Sequence, residues 1–305
     1  MKNSVRVGTR GSQLALAQTN EVVEYFKRVI PNLRFDVIRI RTRGDNMHQL
    51  DTKVERKSLF TQEIEEALAQ DQIDIAIHSM KDLTTELSPR IMIAAVPKRA
   101  SAYDVLVSRN KKKFSQLPPE AKIGTSSLRR KSQLLAARGD LKIVDMTGNV
   151  DTRLRKLANG DCDALVLAAA GLERLHLDRY VTEVLPSKVM LPAVGQGALA
   201  IQSRSGNQEI IDLISKIDHP PTRREVEAER AFAKKLGATC RTPIAAYARA
   251  DSSRLTIEGI VASPNGRMLV RGRVISNDPN SSKIGEELAK SLLDKGAEAV
   301  LELAS

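Results

Sequence analysis

The densest chemistry in the chain is carried by His78, Ser79, Lys81 and Asp82, which close the stretch Asp74-Ile75-Ala76-Ile77-His78-Ser79-Met80-Lys81-Asp82. The β-branched Ile73, Ile75 and Ile77 alternate with Asp74 and Ala76, a pattern that predicts a short core strand. In open α/β sheets ligands sit outside the carboxyl ends of strands, so these polar groups stand where chemistry is done. A plainer reading has Lys81 and Asp82 opening a solvated loop and His78 as a hydrogen-bonded core histidine.

Two further stretches suggest anion binding. Val5 and Val7 flank Arg6 in a strand that runs into Gly8-Thr9-Arg10-Gly11-Ser12, after which Val22, Val23, Phe26, Val29 and Ile30 recur at helical spacing behind Ser12 as N-cap. A strand, a small-residue turn and a helix start leave backbone N–H groups at the positive end of a dipole, where a carboxylate or phosphate binds. Lys122-Ile123-Gly124-Thr125-Ser126-Ser127 repeats the arrangement before a helix carrying Leu128, Leu134 and Leu135, with Arg129 and Arg130 in its first turn. Gly and Ser also make ordinary tight turns, but the repetition with arginine both times predicts two similar α/β domains facing each other.

The remaining elements follow from periodicity. Phe35 to Ile40 predict a second strand, and residues 46–58, polar and without apolar period, read as a mobile loop of functional length. Phe60, Ile64, Ala67 and Leu68 predict a helix, and Ile91 to Val96 a strand that ends at a domain crossing, Pro97-Lys98-Arg99. Val105 to Val107, Leu141 to Val144 and the continuously apolar Ala164 to Ala168 predict strands of a sheet covered on both faces. Thr147-Gly148-Asn149-Val150 turns into a helix capped near Asp151 with Leu154, Leu157 and Ala158 inward, and Arg153 and Arg155 in its early turns oppose the helix dipole, as a bound anion would offset. Gly171-Leu172-Glu173-Arg174 follows the last of these strands. Leu191 to Ala198 reads as the return crossing into the strand Leu199-Ala200-Ile201. Thr222 and Glu225 form a capping-box pair for a helix holding Val226, Ala231, Phe232 and Leu236. Strands at Ile244 to Ala248, Leu255 to Val261 and Met268 to Val274, with a helix over 282–293, predict a small α+β domain at the carboxyl end. Cys240 falls in the loop before it, and Cys162 in an ordinary polar turn.

Composition narrows the function. The chain has 305 residues, 42% of them hydrophobic, enough for two or three domains. Lys and Arg outnumber Asp and Glu 48 to 37, for a net charge of +11, which calls for an anionic partner. Aromatic residues are only 3% with no Trp, and no helix-turn-helix or zinc-finger pattern occurs, so an anionic small molecule fits better than nucleic acid. The two cysteines are far apart and form no disulfide framework, and the four histidines share no ligand spacing, so no metal site is expected. The amino terminus lacks the apolar core of a signal peptide, and no apolar run approaches the roughly 20 residues of a membrane helix. A soluble, cytoplasmic monomer without a membrane partner is expected.

Taken together, Gly8-Thr9-Arg10, Arg43-Gly44-Asp45, His78 to Asp82, Gly124-Thr125-Ser126-Ser127-Leu128-Arg129-Arg130, Leu191 to Ala198 and the loop around Cys240 resemble the hydroxymethylbilane synthase (porphobilinogen deaminase) family over nearly the whole chain. The resemblance implies an α/β fold of two periplasmic-binding-protein-like domains around a cleft, over 1–97 with 195–215 and over 98–194, plus an α+β domain over 216–305. It implies a dipyrromethane cofactor held as a thioether on Cys240, and stepwise condensation of four porphobilinogen molecules with loss of ammonia, followed by hydrolysis to linear hydroxymethylbilane. Lys81, Asp82, Ser127, Arg129, Arg130 and Gly148 would contact the cofactor. Arg10, Ser12, Lys53, Lys57, Arg153 and Arg174 would grip substrate carboxylates, and Asp82 would be catalytic, steadying the positive charge that develops as ammonia leaves. Two positions depart from the family pattern: Thr147 stands where an arginine is usual, a place Arg155 could serve, and Ser58 where glycine is common. The alternative is a two-domain anion-binding receptor or regulator effector module, which would need neither Cys240 nor Asp82.

Overall fold

A computed structural model of the chain describes residues 4–43, 58–239 and 242–303. Lys53, Lys57, Cys240, the Gly44-Asp45 pair and the expected loop up to residue 57 lie outside the described residues, whereas Ser58 already begins a helix. The elements in chain order are β1 (Ser4–Thr9), α1 (Gln13–Val29), β2 (Arg34–Arg39), α2 (Ser58–Ala69), β3 (Ile75–Ser79), β4 (Ile91–Ala95), β5 (Asp104–Ser108), β6 (Lys122–Gly124), α3 (Leu128–Ala137), β7 (Lys142–Val144), α4 (Val150–Ala158), β8 (Ala164–Ala168), α5 (Ala169–Arg174) and β9 (Glu183–Val184). Then come β10 (Leu199–Arg204), α6 (Gln208–Ile214), α7 (Pro220–Lys235), β11 (Ile244–Asp251), β12 (Arg254–Ala262), β13 (Leu269–Ser276), α8 (Ser281–Asp294) and α9 (Ala297–Glu302). The chain divides into two compact units, Met1–Ala100 with Ala198–Val226 and Ser101–Gly197 with Glu227–Ser305, the last of the three boundaries falling inside α7.

The first unit is built on a five-stranded sheet in the order β2-β1-β3-β10-β4. β1 runs parallel to β2 and β3, while β10, arriving after the return crossing, is antiparallel to β3 and β4. Alternation along β3 fills both faces: Ile75 and Ile77 join Val5, Val7 and Phe26 on one, and Ala76 joins Ile64 and Leu68 on the other, where Ile73 packs just ahead of the strand rather than in it. β2 is an edge strand, and Val37 and Ile38 are exposed there, as is Val29 at the end of α1, so these apolar positions do not reach the core.

The second unit repeats the plan in the order β7-β6-β8-β5-β9, with β6 parallel to β7 and β8 and with β5 antiparallel to β8 and β9. In both sheets the antiparallel strand beside the parallel ones follows a crossing, so the repeated small-residue corners of the sequence do mark two sheets of one design. Leu106 and Val166 face one cluster, while Val105, Val107, Leu165 and Leu167 face the other. Cys162 belongs to that second cluster and is buried, not in a polar turn. On α4, Leu157 is buried but Ala158 is exposed.

The second unit also contains the antiparallel sheet β11-β12-β13, one face of which packs Ile257 and Val261 against Phe232 of α7 and Leu288 of α8. Its other face packs Ala245, Ile260 and Ala262 on Leu191. The turn between β12 and β13 approaches α3 closely. A Cβ on Gly266, which has φ +72°, would lie 2.4 Å from the Ser132 carbonyl oxygen and 2.6 Å from the Ala136 nitrogen. The capping box expected of Thr222 is replaced by another arrangement. His219 Nδ1 accepts the Thr222 N–H at 3.3 Å, and the Thr222 hydroxyl accepts the Arg99 N–H at 3.2 Å. The helix therefore starts at Pro220, whose missing N–H costs nothing in a first turn.

Candidate active site

In the first unit the carboxyl ends of the parallel β1 and β3 bring two of the sequence stretches to one edge of the sheet. Ser12 caps α1, its hydroxyl accepting the Ala15 N–H at 3.2 Å, and no acidic residue in the first turn competes for the positive helix end. The Arg10 guanidinium lies 4.2 Å over the Phe60 ring. Lys81 and Asp82, both half-buried, share a single 3₁₀ turn that follows β3. Gln18 of α1, buried and not anticipated from sequence, donates from Nε2 to the Ser79 hydroxyl at 2.7 Å and so fixes the strand end from which that turn departs.

His78, one residue earlier, is 5% exposed. Burial pushes its imidazole down to about 4, Gln202 works the other way, and the nearby Arg10 charge lowers it further. Gln202 does not reach it in hydrogen-bonding geometry, because His78 Nε2 and Gln202 Oε1 are both buried without a partner. His78 is therefore a neutral core histidine at neutral pH, as in the plainer of its two readings, though Nε2 lacks the expected hydrogen bond.

In the second unit the corresponding strand ends gather arginines. Ser127 caps α3, its hydroxyl accepting the Arg130 N–H at 3.4 Å. Arg129 and Arg130 follow, and both are buried against Asp104, the first residue of β5. Arg153 of α4 donates from Nε to the Gly148 carbonyl at 2.8 Å. Gly148 has φ +106°, a left-handed turn that suits glycine, and a Cβ there would be 3.0 Å from Thr152 Cγ2. Burial, and next the charge of Arg130, push the Arg153 guanidinium down to about 10, with Asp145 opposing. Arg174, at the end of α5, donates to the Gly197 carbonyl at 3.1 Å. Thr147 is exposed, and Arg155 points into solvent beside Asp151 at 3.7 Å.

This set has more cation than anion: one buried carboxylate, Asp104, stands against Arg129, Arg130 and Arg153. Such an excess of poorly hydrated positive charge favours an anionic ligand. Among the described residues no group of His, Cys, Asp and Glu is arranged to hold a metal ion, and no helix is long and apolar enough to cross a membrane.

Comparison with known proteins decides the family. Residues 5–212 match the family model described as porphobilinogen deaminase, dipyromethane cofactor binding domain, and residues 223–294 match the porphobilinogen deaminase C-terminal domain. The chain belongs to the porphobilinogen deaminase family. Among curated relatives, the porphobilinogen deaminase of Pelotomaculum thermopropionicum is 46% identical over 100% of this chain and 98% of its own. That of Brevibacillus brevis is 45% identical over 97% and 96%, and that of Thermus thermophilus 44% over 97% and 98%. Among solved structures, the methionine binding protein MetQ overlaps 70% of this chain and 89% of that one at a TM-score of 0.45 and 12% identity. Ser127, Arg129, Arg130, Gly148 and Arg153 all fall within the stretch matched by the deaminase cofactor-binding domain, and membership of the family sets the receptor alternative aside.

Sequence reasoning missed Asp104, Gln18 and Gln133 of α3, whose side-chain amide bonds the Leu191 backbone. The signal for Asp104 was available, since a carboxylate opening the apolar run Asp104-Val105-Leu106-Val107 requires a buried partner. Asp74 shows the same rule: it opens the run into β3 and receives Arg6 Nη2 at 2.9 Å.

Proposed function

We infer that this chain is a porphobilinogen deaminase (hydroxymethylbilane synthase), a transferase that joins four porphobilinogen molecules with loss of ammonia and releases linear hydroxymethylbilane by hydrolysis. The single observation that carries the reading is the cationic cluster of Arg130 and Arg153 beside the Ser127 cap, inside the stretch matched by the family's cofactor-binding domain. When bound, the dipyrromethane supplies a nucleophilic pyrrole carbon to which the first substrate unit is joined.

The chain's own residues take the following roles in this reading. Cys240 holds the dipyrromethane as a thioether, because a thiolate is a soft, strong nucleophile for an electrophilic carbon. Ser127, Arg129, Arg130 and Gly148 form its cradle, with Lys81 and Asp82 as further contacts. Arg10, Ser12, Lys53, Lys57, Arg153 and Arg174 hold acetate and propionate groups of the substrate, a task suited to the bidentate arginine fork. Asp82 stabilises the positive charge on the substrate pyrrole as ammonia departs, and a carboxylate aimed at developing charge in a water-poor site contributes several kcal/mol. The domains in this reading are 1–97 with 195–215, 98–194 and 216–305, consistent with family matches that break between residues 212 and 223. The enzyme works in the cytoplasm and as a monomer, and gel filtration of the purified protein checks the oligomeric state.

The test is the intact mass of freshly purified, active protein. It is expected to exceed the sequence mass by one dipyrromethane, and Cys240→Ser is expected at its sequence mass and inactive. An active protein with an unmodified thiol at position 240 would overturn the reading.

A further inference from the structure

Asp104 is fully buried, and Arg129 and Arg130 are each 7% exposed. The two arginines meet this one carboxylate differently. Arg129 approaches end-on, with Nη1 donating to Oδ2 at 2.8 Å and Nη2 to Oδ1 at 3.1 Å, and the same Nη1 donates to the Leu191 carbonyl at 2.7 Å. Gln133, one turn along α3, also donates to that carbonyl at 3.1 Å and accepts the Leu191 N–H at 2.7 Å. Arg129 is thus a strut tying α3 to β5 and to the segment at Leu191. Arg130 approaches side-on, through Nε at 2.9 Å and Nη2 at 2.8 Å, both to Oδ1.

A guanidinium is planar and rigid, so fixing its Nε–Nη2 edge also fixes where the edge bearing Nη1 points. One carboxylate against two guanidiniums leaves a buried excess of one positive charge. Arg153 registers that excess, since the Arg130 charge helps to lower its own affinity for a proton.

We propose that Asp104 is a positioning residue for the condensation: it aims the outer edge of Arg130 at a pyrrole carboxylate, while Arg129 forms the frame of the cradle. The proposal rests on the reading that Arg130 holds such a carboxylate. It makes a prediction opposite to that of charge alone. Asp104→Asn adds one positive charge to an anion site, so a purely electrostatic role for the arginine pair predicts tighter substrate binding. An aiming role predicts weaker binding, because Asn offers one neutral oxygen, and an N–H2 donor, where both carboxylate oxygens had held the two guanidiniums.

The experiment compares purified full-length Asp104→Asn, Asp104→Glu and Arg130→Gln with the parent protein by intact mass, far-UV circular dichroism and steady-state kinetics with porphobilinogen. Asp104→Glu keeps the charge and displaces the carboxylate by one methylene in a fully buried place, and it carries the test if Asp104→Asn does not fold. For both Asp104 variants the expected result is a native spectrum, a reduced fraction of chains bearing the dipyrromethane mass, and a KM raised about tenfold with a smaller change in kcat, the loss of one charge-assisted hydrogen bond. Parental occupancy and KM in Asp104→Glu, or a lowered KM in Asp104→Asn, would overturn the proposal. Arg130→Gln separates the two levels. If it keeps parental occupancy and KM, the reading of Arg130 itself fails and the proposal with it; if it is impaired while the Asp104 variants are not, only the positioning role fails.

Discussion

Gly266→Ala tests how the turn between β12 and β13 is held against α3. At φ +72° an alanine sits in the left-handed region, which costs about 1 kcal/mol. Its Cβ would also stand 2.4 Å and 2.6 Å from two backbone atoms of α3, the Ser132 oxygen and the Ala136 nitrogen, and a helix backbone cannot turn aside as a side chain can. The turn must withdraw instead. It is itself braced by the Gly266 N–H donating to the Ser263 carbonyl at 2.9 Å and by the Ser263 hydroxyl on Asn265 at 2.8 Å. Overpacking of this kind costs about 1–3 kcal/mol, for a total of roughly 2–4 kcal/mol. The control is Gly296→Ala, where φ is +89° and no heavy atom lies within 4 Å of the added Cβ, so that only the conformational cost of about 1 kcal/mol applies. Because the chain has no Trp, unfolding is followed by far-UV circular dichroism. The midpoint is expected to fall by roughly 3–6 °C for Gly266→Ala and by about 2 °C for the control. Since α3 carries Arg129 and Arg130, Gly266→Ala is also expected to raise KM for porphobilinogen while Gly296→Ala does not. Equal losses in the two variants would refute the reasoning, because they would show that the contact with α3 adds nothing to the backbone strain.

Three other outcomes are expected. Asp82→Asn lowers kcat by roughly 10²–10³-fold with an unchanged spectrum and melting midpoint; near-normal turnover would remove Asp82 from the mechanism. His78, neutral in the fold down to about 4 and titrating near 6.5 when unfolded, takes up its proton first in the unfolded chain, so stability is lost as pH falls through that window. The loss amounts to about 3 kcal/mol by pH 4, and urea titrations of His78→Leu at pH 7, 5.5 and 4.5 are expected to lack this component; a slope equal to the parent's would assign it elsewhere. Cys162, buried and with its thiol pushed up to about 11 chiefly by burial, is expected to resist iodoacetamide at pH 8 in the native protein and to react once unfolded. Rapid labelling of the folded protein at Cys162 would contradict its packing.

Much of the fold was legible because local rules and burial agreed. Ile75 and Ile77 formed β3, though Ile73 precedes the strand and packs on its other side; Ser12 caps its helix as its position before an apolar period requires, and the two small-residue corners marked two sheets of the same order. Less was legible where a residue's environment depends on distant chain. Val37 and Ile38 read as core and are exposed, because only the strand order makes β2 an edge. Thr222 reads as half of a capping box, yet its hydroxyl is engaged with Arg99, 123 positions away. The helix α9 carries too short a period to be separated from α8 by sequence.

The amino-acid sequence by itself determined the elements, the motifs that carry the family and the excess of positive charge, since these depend on neighbours within a few residues or on sums over the chain. The tertiary structure decided which charges remain available to a ligand. Arg129 and Arg130 are adjacent and chemically identical, and nothing local distinguishes them; Asp104, 25 positions earlier in the chain, takes one end-on and the other side-on. The reason is that desolvated charges must be paired wherever the fold brings a partner, and that pairing, not residue type, fixes the direction in which the remaining donors point.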